Sequence, residues 1–231
     1  FNSDISNWDV SSGNNFSYMF KGATSFRQPI GDWNVSSGTD FSYMFNAATA
    51  FNQDIGSWDV SNGSNFESMF SSATFFNQDI GNWNVSKGNN FGSMFLWADA
   101  FDQYIGNWDV SSGLIFQNMF YSTNFNQDIG DWDVGSGIYF NGMFGFTTLF
   151  NQDISSWDVS NGHSFSGMFD EAKVFHQDLS LWNMSSAELI GSMFRSCLPM
   201  IRDGWDSDYR GTPPVNKFLG KTTSGTSIAE T

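Results

Sequence analysis

Hydrophobic and polar residues follow a fixed period of 25 residues along most of the chain. Phenylalanine opens each period, tryptophan follows seven residues later, and a Met-Phe pair lies towards the end. The opening residues of the eight copies are Phe1, Phe26, Phe51, Phe76, Phe101, Phe125, Phe150 and Phe175. One interval is 24 residues, because the fifth copy lacks a residue before Phe125. Eight copies at a fixed period predict a solenoid, in which each repeat buries its apolar face against its neighbours.

The first half of a repeat has the pattern of a short strand. Ile55, Trp58 and Val60 have the spacing of a leucine-rich repeat. Trp58 and Val60 are two residues apart and would share one face of a strand, whereas Asp59 would face the other way.

The second half of a repeat has the pattern of a helix. Phe66, Met69, Phe70 and Ala73 are spaced i, i+3, i+4 and i+7, which places them on one helical face. Serine, glycine and asparagine at the other positions are poor helix formers, so a short helix is expected.

Together these patterns predict an α/β solenoid that is leucine-rich-repeat-like, with eight 25-residue strand-turn-short-helix repeats. Strands stack at about 4.8 Å and helices need about 8–10 Å, so the parallel sheet would lie on the concave face. The solenoid would cover residues 1–198, a degenerate C-terminal cap residues 199–210, and a linker or flexible tail residues 211–231. Because the chain begins inside a repeat, we expect a mature segment or a fragment of a longer protein.

The net charge of −15 and the pI near 4.1 restrict the partners. Nine lysines and arginines cannot build the phosphate-tracking surface that nucleic-acid binding needs. The sequence has no apolar run long enough to span a membrane, so no direct membrane insertion is expected of this segment. Cys197 is the single cysteine and excludes an intramolecular disulfide. It occupies the repeat position of Ala73, which predicts a small buried residue.

The repeat unit FNQDIGxWDVSxGxxFxxMFxxA resembles the BspA-like leucine-rich repeat, whose usual form is roughly FNQDISxWDVSxVxxMxxMFxxA. The matching residues of one copy are Asn52, Gln53, Asp54, Ile55, Trp58, Asp59, Val60, Ser61, Met69, Phe70 and Ala73. The resemblance covers residues 1–198, and the chain departs from the usual form by Gly63 for valine and Phe66 for methionine. These departures recur in other copies, for example at Gly88 and Phe91.

The resemblance implies an extracellular or cell-surface protein of bacteria, mycoplasmas, protists or algae, with a role in adhesion or recognition. Its partner would be a protein or a glycan. The family has no defined catalytic residues, and we expect no enzyme and no cofactor. The alternative is a structural protein that self-assembles end to end into filaments or an extracellular layer, because the first repeat would leave an open sheet edge.

A row of Asp and Asn follows the tryptophans, and three successive members are aspartates: Asp109, Asp133 and Asp158. They are the candidates for a Ca²⁺ site on the concave face. The competing interpretation is a solvated polar face without a ligand. A second row of Asn-x-Asp, for example Asn52 and Asp54, is expected to satisfy backbone groups in turns.

Repeats four to six carry apolar residues where other copies have Ser, Asn or Gly. They are Leu96, Trp97, Leu114, Ile115, Tyr121, Ile138, Tyr139 and Phe146. Equivalent positions of adjacent repeats should be neighbours, so these residues predict an exposed apolar interface for another protein or for self-association. The competing interpretation is local repacking around the missing residue of the fifth repeat.

Two further groups of polar residues have less specific patterns. N-glycosylation sequons occur at Asn15, Asn34, Asn62, Asn84 and Asn183. His163 and His176 lack a nearby nucleophile or metal-ligand set in the sequence, and we expect both on the surface.

Overall fold

The computed structural model describes residues 1–205 and 213–218, and it corrects the predicted secondary structure. One α-helix, α1, spans Leu198–Arg202, and one turn of 3₁₀ helix spans Val215–Lys217. The rest of the described chain consists of turns and extended segments, joined by seven isolated parallel β-bridges. The predicted α/β solenoid of strand-turn-short-helix repeats with a parallel sheet on its concave face is therefore wrong.

The segment predicted as a strand consists of two turns. The N–H of Trp58 donates to the carbonyl of Ile55 at 3.1 Å, and the N–H of Gly63 donates to Val60 at 2.7 Å. The neighbouring repeat is bound here by a side chain, because the indole Nε1 of Trp58 donates to the carbonyl of Ile30 at 3.0 Å. No ladder forms here because these backbone groups are used within the repeat or by side chains.

The segment predicted as a helix also consists of turns. The N–H of Met69 donates back to Phe66 at 3.2 Å, but the N–H of Ser68 donates to Gly92 of the next repeat at 2.9 Å. Ser68 has a φ of 53° and Ser72 a φ of 58°, in the left-handed region. This alternation directs every second N–H along the stack, so the i to i−4 bonds of a helix cannot form.

Aromatic side chains of successive repeats form the core. The ring of Phe70 lies 3.9 Å from that of Phe76, and 5.6 and 5.8 Å from the rings of Phe45 and Phe95 in the adjacent repeats. A separate row of tryptophans continues alongside, with centroids 6.5 Å apart at Trp58 and Trp83. Offset stacking at these distances is favourable, and the backbone bonds between repeats hold it in register.

The two ends of the stack differ. Trp8 in the first repeat is exposed, whereas Met200 of α1, Trp205 and Phe218 are buried against the last repeat. The predicted cap at residues 199–210 is described as far as residue 205. Of the predicted tail at residues 211–231, only residues 213–218 lie within the described part, and they include the buried Phe218.

Candidate interaction surface

The apolar residues of repeats four to six lie in two groups, which together we call the apolar surface. The first group is Leu114, Ile115, Ile138 and Tyr139. Ile115 and Tyr139 form a parallel bridge, and the carbonyl of Leu114 accepts the N–H of Ile138 at 2.9 Å. Leu114 and Tyr139 are exposed, and the other two are half-buried. Equivalent residues of adjacent repeats are thus side by side.

The second group is Leu96, Trp97, Tyr121 and Phe146. The rings of Tyr121 and Phe146 are 5.2 Å apart, and the N–H of Trp97 donates to the carbonyl of Tyr121 at 3.0 Å. Tyr121 covers Gly145, where an added Cβ would lie 2.8 Å from its ring. Burial raises the pKa of Tyr121, and the charge of Asp170 adds to this effect.

Sequence reasoning missed four further exposed apolar residues at the last two positions of a repeat. They are Phe75, Leu149, Val174 and Leu198. The sequence could have identified three of them. Phe75, Leu149 and Val174 occupy the position that holds the small residues Ser25 and Ala50 in the first two repeats. Leu149 belongs to the same repeat as Phe146 and extends the apolar surface towards the site of the missing residue.

The turn of the fifth repeat that lacks a residue is closed through the hydroxyl of Thr123. In the fourth repeat the N–H of Phe101 donates to the carbonyl of Ala98 at 3.0 Å. In the fifth, the N–H of Phe125 reaches the Oγ1 of Thr123 at 3.4 Å, and that hydroxyl donates to Phe120 at 2.8 Å. Leu114 and Tyr139 lie in another segment of their repeats, away from this turn.

The aspartate row after the tryptophans is engaged in turns. In all eight repeats the side-chain Oδ1 at this position accepts the backbone N–H two residues later. For the Ca²⁺ candidates Asp109, Asp133 and Asp158 the lengths are 3.1, 3.0 and 2.9 Å. Within the described residues, no group of three or more His, Cys, Asp or Glu is arranged to hold a metal ion. These contacts favour the structural interpretation of the row.

Acid is expected to destabilise the protein through these turns. Hydrogen bonds from Ser11, Ser61, Ser111 and Ser160 lower the pKa of Asp9, Asp59, Asp109 and Asp158 below the ordinary 3.8. A carboxyl with a lowered pKa in the folded state contributes stability that is complete above its unfolded pKa. That contribution is lost as the pH falls from about 3.8 through the folded pKa. Urea unfolding at a series of pH values measures the loss.

The control variant carries asparagine at the same four positions. Asn34 and Asn84 already accept the same backbone N–H in the natural chain, at 3.1 Å in both cases. This variant should lose less stability below pH 3.8 than the natural protein, because an amide does not titrate there. Equal losses in the two proteins would show that other carboxyls cause the acid sensitivity.

The histidines and the cysteine do not form a reactive centre in the described structure. Nδ1 of His163 lies 3.6 Å from Glu188, and Nε2 of His176 lies 2.5 Å from Asp203. Both histidines are on the surface, as predicted. Cys197 is fully buried, as predicted, and burial raises its pKa to about 12, so its thiolate is not available near neutral pH.

A groove at the C-terminal end is lined by acidic, basic and aromatic residues. Its lining includes His176, Asp178, Trp205 and Lys217. His176 is paired with Asp203, while the Nζ of Lys217 donates to the Asp203 carbonyl at 2.9 Å. These polar groups hold the last described residues against the eighth repeat.

Four of the five sequon asparagines are exposed: Asn15, Asn34, Asn62 and Asn84. Asn183 is half-buried. The Nδ2 of Asn62, the atom that would carry a glycan, donates to the carbonyl of Ser36 at 2.9 Å.

These features define a class of protein: a stacked aromatic repeat whose polar side chains largely serve its turns. Residues 1–106, 39–124 and 98–205 match the family described as Mycoplasma protein of unknown function, DUF285, and the chain belongs to this family. Neither the curated proteins nor the solved structures contain a match to the chain. Among the described residues, no helix has the length and apolar character needed to cross a membrane.

Proposed function

We propose that this chain is a non-enzymatic recognition protein, placed at the cell surface or secreted, which binds another protein through its apolar surface. The carrying observation is the exposure of Leu114 and Tyr139, at 39% and 44%, beside the bridged Ile115. The resemblance of the repeat to the BspA-like repeat supports the surface location and the adhesive role.

The local composition favours a protein over a glycan as the partner. The positions of Leu114 and Ile115 hold Asn14 and Asn15 in the first repeat, whereas the central repeats replace these polar residues by aliphatic and aromatic ones. Protein interfaces are enriched in aromatic residues and depleted of charged residues at their centre. The apolar surface contains two tyrosines, one tryptophan and one phenylalanine, and none of its eight residues is charged.

The regular use of polar groups opposes an enzymatic role. Aspartates of two rows accept backbone N–H groups two residues ahead, as Asp54 does from Gly56 at 3.0 Å and Asp109 from Ser111 at 3.1 Å. A general acid or base needs a position and a pKa that differ from those of its copies. These aspartates share one geometry from repeat to repeat.

Photo-crosslinking from Tyr139 tests the proposal. A photoreactive phenylalanine analogue at this position, in the protein expressed in its source cells, should yield a discrete protein adduct identified by mass spectrometry. Protease treatment of intact cells should remove the chain if it lies at the cell surface.

The matched control places the same analogue at Tyr104, which is exposed at 49% and lies outside the apolar surface. An adduct from Tyr139 that is absent from Tyr104 supports recognition through this surface. Equal labelling from both positions, a glycan adduct, or no adduct from Tyr139 contradicts it.

End-to-end assembly is the second candidate. The stacking of successive repeats through backbone hydrogen bonds favours it, whereas the burial of Trp205 against the last repeat opposes it. Light scattering over a concentration series separates the two functions. Growth into filaments supports assembly, and a concentration-independent monomer contradicts it.

A further inference from the structure

A backbone feature distinguishes Trp97 and Phe146 from the other six residues of the apolar surface. Each repeat has two positions with positive φ, and the second is occupied by Gly22, Ala47, Ser72, Trp97, Ser122, Phe146, Glu171 and Ser196. Trp97 has a φ of 57° and Phe146 a φ of 58°. The left-handed conformation is unfavourable for residues with a Cβ, and bulky residues are outliers there.

Packing does not explain why aromatic side chains occupy this position. Trp97 is 52% exposed and, within the described structure, has no aromatic ring partner and no hydrogen bond to its indole nitrogen. By contrast, the core Trp108 donates its Nε1 to the carbonyl of Ile80 at 3.0 Å. Phe146 is also exposed and contacts one ring, that of Tyr121. Both residues therefore contribute less to folding than the core aromatics do.

Trp97 and Phe146 lie on either side of a small residue. Ser122 holds the equivalent position in the repeat between them, and its N–H donates to Gly145 of the sixth repeat at 2.8 Å. The centroids of Phe95 and Phe120 are 5.8 Å apart and those of Phe120 and Phe144 are 5.7 Å apart, so the fourth and sixth repeats are separated by about 11.5 Å in the core. We call this feature the notch.

The charges around the notch favour a cationic occupant. Asp99, two residues from Trp97, is exposed, and the described structure contains no ion pair to it. The chain as a whole carries a net charge of −15. A cation is attracted to an aromatic face within about 6 Å, which is about half the spacing of two repeats in the core.

The first two repeats already hold a cation beside aromatic rings, at the first of the two left-handed positions. The Nζ of Lys21 lies 5.0 Å from the ring centroids of both Tyr18 and Tyr43. Tyr18 and Tyr43 also occupy left-handed positions, with φ of 61° and 57°. The two tyrosine rings stack on each other at 4.8 Å, so Lys21 lies beside the pair and not between the rings. A cation can therefore contact aromatic residues of two adjacent repeats on this backbone.

We propose that the notch over Ser122, bounded by Trp97 and Phe146, binds an arginine or lysine side chain of a protein partner. The inference rests on the proposed recognition function and names the chemistry of one contact. Trp97 and Phe146 would provide the aromatic faces, and Asp99 would provide the opposite charge at the rim.

Calorimetric titration with two synthetic peptides tests the notch. The first is a short peptide of arginine and glycine, and its twin carries citrulline, a neutral isostere, in place of arginine. The arginine peptide should bind the natural protein about three- to ten-fold more tightly than the citrulline peptide. Trp97→Ser and Phe146→Ser should each weaken binding of the arginine peptide by a similar factor without changing the net charge.

Two controls separate binding from folding and from general electrostatics. Ser72 and Ser122 show that serine is accommodated at this backbone position, so both variants should retain a cooperative thermal transition. Tyr104→Ser removes an exposed aromatic outside the notch and should bind the arginine peptide as the natural protein does. Equal binding of the two peptides, or undiminished binding in either notch variant, overturns the proposal. The crosslink from Tyr139 tests recognition independently, so the two failures are distinguishable.

Discussion

Replacing Phe76 by alanine is expected to lower the free energy of unfolding by about 3–5 kcal/mol. The ring is fully buried, 3.9 Å from Phe70 and about equally far from Phe51 and Phe101, at 5.9 and 6.0 Å. The cavity cannot close easily, because backbone hydrogen bonds between the repeats hold their spacing. Urea unfolding followed by tryptophan fluorescence measures the change.

Phe75→Ala is the matched control, because the two residues are adjacent in the chain. Phe75 is 67% exposed, so its loss should change the free energy by no more than about 0.5 kcal/mol. Stacked repeats can open locally, so hydrogen exchange at the indole of Trp83 gives a second measurement of the Phe76 variant. Equal effects of the two substitutions would contradict the assignment of Phe76 to the core.

The burial pattern was predictable from the sequence, and the backbone conformation was not. Trp58, Val60 and Phe66 are buried and Asp59 is exposed, as the alternation and the i, i+3, i+4 spacing indicated. That spacing identifies which side chains share a face, but successive turns closed by i to i−3 hydrogen bonds place nearly the same side chains together as a helix does. The residues with positive φ distinguish the turns from a helix, and the presence of a serine such as Ser68 does not predict a positive φ.

The candidate site was predictable where repeat position alone decides proximity. Ile115 and Tyr139 occupy equivalent positions and are bridged in the structure. The left-handed φ of Trp97 had a weak sequence signal, because glycine is a usual marker of that conformation and only Gly22, among the eight residues at this position, is a glycine. The hydrogen bonds of Asp109 could not be predicted either, because the sequence does not distinguish an aspartate that is solvated from one that accepts hydrogen bonds in a turn.

Replacing Gly88 by alanine is expected to lower the free energy of unfolding by about 1–3 kcal/mol. The added Cβ would lie 2.4 Å from the Cζ of Phe91 and 2.9 Å from the carbonyl oxygen of Val85. The Phe91 ring cannot move aside, because Phe66 and Phe116 stack on its two sides at 5.7 Å. Gly191→Ala is the control, since its Cβ would meet no atom within 4 Å. Thermal and urea unfolding measure both variants.

The eighth repeat indicates how this clash is relieved. Ala187 and Ile190 occupy there the positions of Gly88 and Phe91, and both are buried. In this repeat a residue larger than glycine is therefore paired with a residue smaller than phenylalanine. The same dependence explains why the chain changes both positions of the BspA-like pattern together, with glycine for valine and phenylalanine for methionine. Gly88→Ala combined with Phe91→Ile should lose less stability than the two single variants together, by about 1 kcal/mol or more. Strict additivity would show that the ring of Phe91 does not set the requirement for glycine.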